Sequence, residues 1–323
     1  PDVICFSCYL WNISYVKALL KELPKILPEV RLWLGGPEVS FNARQMLAEY
    51  PQLEGIMCGE GEETFRELME HFEQGRPELD KIRGIVFCRK TDGKIIETSP
   101  RQVMDLNAVP FVYENLDCFA NKIVYYESSR GCPFSCSYCL SSIDKCLRFR
   151  DTKKVKEELQ FLIDSEVPQV KFVDRTFNCR RDHAMEIWTY LMEHDRGITN
   201  FHFEIAADLL SEEELELIGK MRPGLIQLEI GIQSTNEDTI REIRRTMQFS
   251  RVKKVVKQIQ ERGNVHQHLD LIAGLPFEDM ASFKKSFCDV YALKPEQLQL
   301  GFLKVLKGSW MHEKAEDYGL LYQ

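Results

Sequence analysis

The chain has 323 residues, 44% of them apolar and 28% charged, with a formal net charge of −8. These values describe a folded globular protein of about two domains and argue against a general nucleic-acid binder, which presents a basic face. No apolar run approaches the ~18–20 residues of a membrane span, no signal peptide opens the chain, and the eleven cysteines do not form a small disulfide framework, so a cytoplasmic protein is expected.

The chain opens at Pro1 in an apolar run and ends at Gln323 without a tail signal, which suggests a fragment of a longer protein. Residues 3–7 read as a strand, 14–23 as a helix, 31–34 as a strand, 43–49 as a helix, 55–58 as a strand and 62–72 as a helix. Three strands with crossover helices make half to two-thirds of a doubly wound domain. A distinctive run follows each strand: Ser7-Cys8-Tyr9-Leu10-Trp11-Asn12, then Gly35-Gly36-Pro37-Glu38-Val39-Ser40, then Gly59-Glu60-Gly61-Glu62. A double glycine after a strand lets a bulky nucleotide lie against the backbone, although alone it is often only a tight turn. Residues 85–88 and 95–98 flank Thr91-Asp92-Gly93-Lys94 as a hairpin, and residues 99–121, with Pro100 and Pro110, read as a linker.

From residue 123 strands and helices alternate. The strands are predicted at 123–127, 170–174, 201–206, 225–232, 269–273 and 298–305, and the helices at 153–165, 182–195, 212–221, 237–245, 251–262 and 281–293. This pattern argues for a parallel sheet with right-handed crossovers, and six units suit an open, partial barrel. Ligands gather at the carboxyl ends of such strands.

The run after the first of these strands is Ser129-Arg130-Gly131-Cys132-Pro133-Phe134-Ser135-Cys136-Ser137-Tyr138-Cys139. Three thiolates on one short loop can bind three irons of a four-iron cluster and leave the fourth iron open. A zinc site would want a closed set of four ligands, and no second Cys-x2-Cys or His pair at knuckle spacing is visible. Cys146 is a possible fourth ligand that no spacing favours. Cys5, Cys8, Cys58, Cys88, Cys118, Cys146, Cys179 and Cys288 read as small buried hydrophobes.

The spacing Cys-x3-Cys-x2-Cys, with an aromatic before the last cysteine, resembles the signature of the radical S-adenosylmethionine (radical SAM) enzymes. In that family the open iron binds the amino and carboxylate groups of S-adenosylmethionine, and one electron from the cluster cleaves it to a 5′-deoxyadenosyl radical. The resemblance implies a [4Fe-4S] cluster on Cys132, Cys136 and Cys139, with Gly131 and Pro133 shaping the loop and Tyr138 lying against adenine. It places Asp174 at the methionine amino group, although Asp174-Arg175-Thr176-Phe177 stands where the family has Gly-Gly-Glu. Glu204 would accept hydrogen bonds from the ribose. Glu229-Ile230-Gly231-Ile232-Gln233-Ser234 looks like the ribose-contact region, which assigns Gln233 and Ser234 to the cofactor. Asp270-Leu271-Ile272-Ala273-Gly274-Leu275-Pro276-Phe277-Glu278 resembles the family's Gly-x-Ile-x-Gly-x-x-x-Glu element, with Asp270 for the first glycine. Ile272 would pack on adenine and Gly274 would permit its approach. Each carboxylate taken singly is equally well explained as solvated or ion-paired. His266 and His268 alternate on the fifth strand; they read first as structural histidines, and the alternative is that one faces the barrel interior as a substrate or acid/base group.

The first region resembles the cobalamin-binding domain that precedes the barrel in one large subclass. The resemblance implies that Ser7, Gly35 and Gly36 meet the nucleotide tail, and that two further β/α units, with any lower-ligand histidine motif, lie ahead of Pro1. The methylthiotransferases are a rival in the same superfamily, with a second cluster on Cys8, Cys58 and Cys88. Against them, Cys88 falls in the hairpin and Gly35-Gly36-Pro37 goes unexplained.

The expected fold class is α/β: a partial (β/α)6 radical SAM barrel preceded by an incomplete doubly wound, Rossmann-like cobalamin-binding domain. Expected domains are 1–75 (partial cobalamin-binding), 76–121 (hairpin and linker), 122–310 (partial barrel) and 311–323 (start of a C-terminal region). The expected function is a cobalamin-dependent methyltransferase acting on an unactivated carbon or phosphorus. The alternatives are a non-methylating enzyme using the same cofactors for ring contraction or cyclisation, and a non-catalytic cobalamin or cluster carrier. Expected partners are a small-molecule or peptide substrate and a reductant such as flavodoxin or ferredoxin, with no membrane or nucleic acid. No catalytic side chain is readable.

Overall fold

A computed structural model describes residues 1–116, 119, 122–143 and 145–322. Cys118 and Gln323 lie outside the described residues. The chain divides into two compact units, Pro1–Met104 with Leu306–Gly308, and Asp105–Val305 with Ser309–Gln323.

In the first unit the elements run β1 (Val3–Ser7), α1 (Ile13–Ile26), β2 (Arg31–Gly35), α2 (Pro37–Ser40), α3 (Ala43–Glu49), β3 (Leu53–Met57), α4 (Glu62–Gln74), β4 (Ile85–Cys88) and β5 (Ile95–Glu97). The first three strands are parallel, and the hairpin β4–β5 continues the same sheet antiparallel, in the order β1-β2-β3-β4-β5. The predicted first helix stops short of Pro24, but α1 runs through it. Proline has no N–H for the Leu20 carbonyl, and Gln52 Nε2 donates to that carbonyl instead at 2.8 Å. Trp33 is fully buried, and Gly55 is its register partner on β3.

In the second unit β6 (Val124–Tyr126) leads to a two-stranded ribbon, β7 (Ser129–Arg130) and β8 (Arg148–Phe149), that closes the cysteine loop at its base. Then follow α5 (Thr152–Asp164), β9 (Gln169–Phe172), α6 (Arg181–His194), β10 (Asn200–Ile205), α7 (Glu212–Ile218), β11 (Ile226–Gln233), α8 (Glu237–Glu242), α9 (Phe249–Arg262), β12 (His266–Ala273), α10 (Met280–Tyr291), β13 (Gln297–Phe302) and α11 (Trp310–Glu313). The six strands β6, β9, β10, β11, β12 and β13 are all parallel and lie side by side in chain order. Among the described residues β6 and β13 do not pair with each other, so the sheet stays open. Asp151, Ser211 and Asp279 accept N–H bonds at the starts of α5, α7 and α10, and Ser211 with Glu214 forms a capping box.

On β11, Ile226, Leu228, Ile230 and Ile232 are buried in the core that also holds residues of α5, α6 and α9, while the intervening residues turn to the other face. A ring cluster of Phe172, Phe177, Trp188 and Phe203 fills the core behind β9 and β10. Phe111, Tyr113, Leu116 and Phe119 pack on this core, so the end of the predicted linker belongs to the second unit. Cys8 is buried as expected, but Cys146 and Cys288 are exposed and Cys5, Cys58, Cys88 and Cys179 are only partly covered. No helix among the described residues is long and apolar enough to cross a membrane.

A Cβ placed on Gly55 would sit 2.3 Å from the Trp33 ring. Gly55→Ala is expected to destabilise the first unit by about 1–3 kcal/mol, read as a lower urea midpoint by tryptophan fluorescence. An unchanged midpoint would mean that the indole can move aside.

Candidate active site

The cysteine loop leaves β7 at Gly131, whose φ is +93°. A Cβ there would lie 2.7 Å from the Cys146 carbonyl oxygen, so both the backbone angle and the space require glycine. Further along, the Ser137 N–H donates to the Ile243 carbonyl at 2.9 Å, and the Ser137 carbonyl accepts from the Met311 N–H at 2.9 Å. The loop is thereby pinned between two segments distant in sequence. Cys132 and Cys136 are buried and Cys139 half-buried.

All three cysteines line a cavity of about 180 Å³. Of the residues expected at the cofactor, Tyr138, Glu204 and Gln233 line it too. So do Arg175, Thr176, Glu229, Arg245 and Asp270, which were not in that set. Gln233 follows a register irregularity in β11 and has φ +71°, a strained value for a residue with a side chain.

Four residues expected at S-adenosylmethionine, namely Asp174, Ser234, Ile272 and Gly274, do not line this cavity. Asp174 is wholly buried. Its Oδ1 accepts from the Ser128 N–H at 2.8 Å, and its Oδ2 from the Ser128 and Ser129 hydroxyls at 2.7 and 2.6 Å. Ser234 is also buried, and its hydroxyl donates to Glu278 Oε1 at 2.6 Å. Ile272 joins an apolar cluster with Ile243, Leu275, Met311 and the flank of Tyr138, outside the cavity wall. Gly274 has φ +90°, and a Cβ on it would meet only the Leu303 Cβ at 3.8 Å.

Arg245 is the group that sequence reasoning missed. Its guanidinium donates to the Gly231 carbonyl, to the Tyr138 hydroxyl at 3.2 Å and toward Cys136 Sγ at 3.8 Å. Its Nε is buried without a hydrogen-bond partner, and no ion pair of Arg245 exists among the described residues. A buried cation without a counter-charge is costly. Nothing in the local sequence marks Arg245, because its partners lie on other elements.

Deeper in the sheet, Glu229 Oε2 lies 2.9 Å from Lys171 Nζ and 3.0 Å from His202 Nε2. These neighbours, His202 foremost, hold Glu229 well below the usual carboxylate range. Glu204 is pushed up to about 7, first by burial and then by the Glu229 charge. His268 sits 3.0 Å from Asp270 Oδ1. The ligand-capable atoms of His202, Glu229 and His268 fall within 4.8 Å of one another. Lys171 already neutralises the carboxylate through which a cation would be held there.

In the first unit, Ser7 and Gly35 are register partners at the carboxyl ends of β1 and β2. Gly36 has φ +99°, and a Cβ on it would lie 2.6 Å from the Cys8 carbonyl oxygen. The chain's own packing therefore requires this glycine. Beside these residues Tyr9 and Trp11 stack at 4.6 Å, and Trp11 is 72% exposed.

The raised value of Glu204 has a consequence for stability. The unfolded side chain loses its proton near the ordinary 4.5 and the folded one near 7, so stability falls as pH rises through that window and levels above it. Glu204→Gln removes this fall. The gain in its melting temperature over wild type is expected to be larger at about pH 8 than at about pH 4, and an equal difference at both would contradict the shift.

The pattern of the Radical SAM superfamily matches residues 126–288, half of the chain, and that of the B12 binding domain matches residues 1–69. The chain is 27% identical, over 99% of its length, to the cobalamin-dependent radical SAM methyltransferase TokK of Streptomyces tokunonensis. It is 26% identical over 78% of its length to hopanoid C-3 methylase of Methylococcus capsulatus, and 23% identical over 89% to an anaerobic magnesium-protoporphyrin IX monomethyl ester cyclase of Rubrivivax gelatinosus. It spans about half the length of these curated relatives (50%, 49% and 53%). The fold is similar to that of the radical S-adenosylmethionine methyltransferase TsrM from Kitasatospora setae, with a TM-score of 0.77 at 17% identity over 98% of this chain and 65% of that one. These matches agree with the three-cysteine loop on an open parallel sheet: the chain belongs to the Radical SAM superfamily and carries sequence of the B12 binding domain in its first unit.

Proposed function

We propose that the protein is a cobalamin-dependent radical SAM methyltransferase acting on an unactivated carbon or phosphorus of a small-molecule or peptide substrate. The observation that carries this reading is the cavity that joins Cys132, Cys136 and Cys139 to the uncompensated guanidinium of Arg245. Three thiolates bound to a cluster leave net negative charge, which is what the buried cation lacks. The donor set therefore fits a [4Fe-4S] cluster. When bound, the cluster supplies the electron that cleaves S-adenosylmethionine, and the corrin supplies the methyl group.

The side chains do the rest. Tyr138, held by Arg245, gives the cavity a flat wall for adenine. Gln233 and Glu204 present polar groups to hydroxyls. Glu204 titrates near neutral pH, so it can donate or accept such a bond. Ser7 and Gly35, side by side at the carboxyl ends of β1 and β2, support the corrin-tail reading in the first unit, with Gly36 beside them. A reductant such as flavodoxin or ferredoxin, in a reducing cytoplasm, belongs to the same proposal. The cyclase relative supports a second reading, cyclisation with the same cofactors. Transfer of label from methyl-labelled S-adenosylmethionine into product separates the two.

Anaerobically reconstituted protein is expected to carry about four irons per chain and to release 5′-deoxyadenosine from S-adenosylmethionine when reduced. Cys132→Ala, Cys136→Ala and Cys139→Ala should each abolish the iron, while Cys146→Ala, at an exposed position, should retain it. Equal loss in Cys146→Ala would make it a fourth ligand and remove the open iron.

The full-length protein is expected to keep hydroxocobalamin through gel filtration, seen in the corrin spectrum. Ser7→Trp, at an exposed strand end, should displace the corrin and leave the iron content unchanged. A wild type that elutes without corrin but with an intact cluster would reassign the first unit to another ligand.

A further inference from the structure

We infer that Asp174 is the positioning residue of the cluster loop, clamping the chain at Ser128 and Ser129 so that Cys132 is presented to the iron. This rests on the cluster reading above.

Asp174 lies just past β9, which pairs in parallel with β6, and the Val173 N–H donates to the Tyr126 carbonyl at 2.8 Å. From there the carboxylate reaches the two residues that carry the chain from β6 into the loop. It takes the Ser128 N–H and both serine hydroxyls, three donors between 2.6 and 2.8 Å. Three residues beyond Ser129 comes Cys132. Thr176, two residues past Asp174, touches Cys132 with its hydroxyl 3.7 Å from Sγ. One short segment therefore grips the loop at its root and at its first cysteine.

The clamp is charged, and no cation balances it. No ion pair of Asp174 exists among the described residues, and the side chain is wholly buried. His183 Nε2 lies 2.9 Å from Ser128 Oγ. The single hydroxyl proton of Ser128 goes to Asp174, so the imidazole must donate to Ser128 Oγ. Burial lowers the His183 pKa to about 4, so the ring is neutral at physiological pH and acts as a donor, not a counter-ion. The carboxylate is held by a chain of donors, His183 to Ser128 to Asp174, with Ser129 alongside. Such hydrogen bonds to a charged acceptor are directional, and their loss leaves buried donors unpaired. From the far side, the Arg150 N–H donates to the Ser128 carbonyl at 2.8 Å, so Ser128 is fixed through its N–H, hydroxyl and carbonyl.

The test compares wild type, Asp174→Ala, Asp174→Asn and Ser129→Ala, each full-length and reconstituted anaerobically. Far-UV circular dichroism checks the fold. Iron content, the rate of iron loss to a chelator and the electron paramagnetic resonance of the reduced cluster report the loop. Asp174→Ala is expected to lose iron about tenfold faster, with a broadened or shifted signal. Asp174→Asn, which can still accept from Ser128, should fall between it and wild type. Ser129→Ala should move in the same direction by less. A folded Asp174→Ala with wild-type iron retention and an unchanged signal overturns the inference. Should Asp174→Ala not fold, Ser129→Ala decides: faster loss supports the clamp and an unchanged rate overturns it. A wild type that takes up no iron overturns the cluster reading itself, which is a separate result.

Discussion

The second unit depends on the alternation of side chains along a parallel strand. Each strand has one face against the helices and one facing away, and a shift of one residue would exchange them. On β11 the helix face is Ile226, Leu228, Ile230 and Ile232, and the other face is Gln227, Glu229, Gly231 and Gln233. The second face is unusually polar for a parallel α/β sheet, where branched apolar residues usually fill the interior. Lys171, His202, Glu204, Glu229, His268 and Asp270 occupy it on four adjacent strands. A sheet can present so many charged groups only because its other face has already formed the core.

The charges on that face are not interchangeable. Glu229 is anchored by Lys171 and His202 and stays ionised. Its neighbour Glu204 has no anchor of comparable strength and is pushed toward protonation. Two carboxylates on adjacent strands thus differ because His202 and the Lys171 ammonium close on one of them, while the other is 4.0 Å from that ammonium. Arg245 brings the opposite sign to the cysteine side. The cavity is therefore polarised, cationic beside Cys136 and anionic along β10 to β12.

Most of the fold was legible in the sequence because strand and helix periods differ. The ribbon β7–β8 was not, because two-residue strands carry no period. Its existence depends on Gly131 allowing the loop to close against Cys146. At the end of the expected linker Phe111, Tyr113 and Leu116 pack on the core, a contact no local pattern announces. Within the site, strand parity sorts the residues by face. Asp174 has the parity of Val170 and Phe172, and Ser234 that of Ile232, so both belong to the buried side. Glu204, Gln233 and Asp270 have the parity of the polar face and line the cavity. The family resemblance pointed to strand ends, and parity separates the residues there that line the cavity from those that do not. Arg245 obeyed neither signal, since it reaches the cysteines from beyond α8.

The contact between Arg245 and Cys136 spans 109 residues of chain. At ribosomal speeds of about 5–20 residues per second, the cysteines emerge roughly 5–20 s before the arginine that completes their surroundings. During that interval Cys132, Cys136 and Cys139 are ordinary thiols on an unfinished sheet, open to oxygen and to competing metal ions. The order of synthesis therefore separates making the ligands from making the place where a cluster is stable.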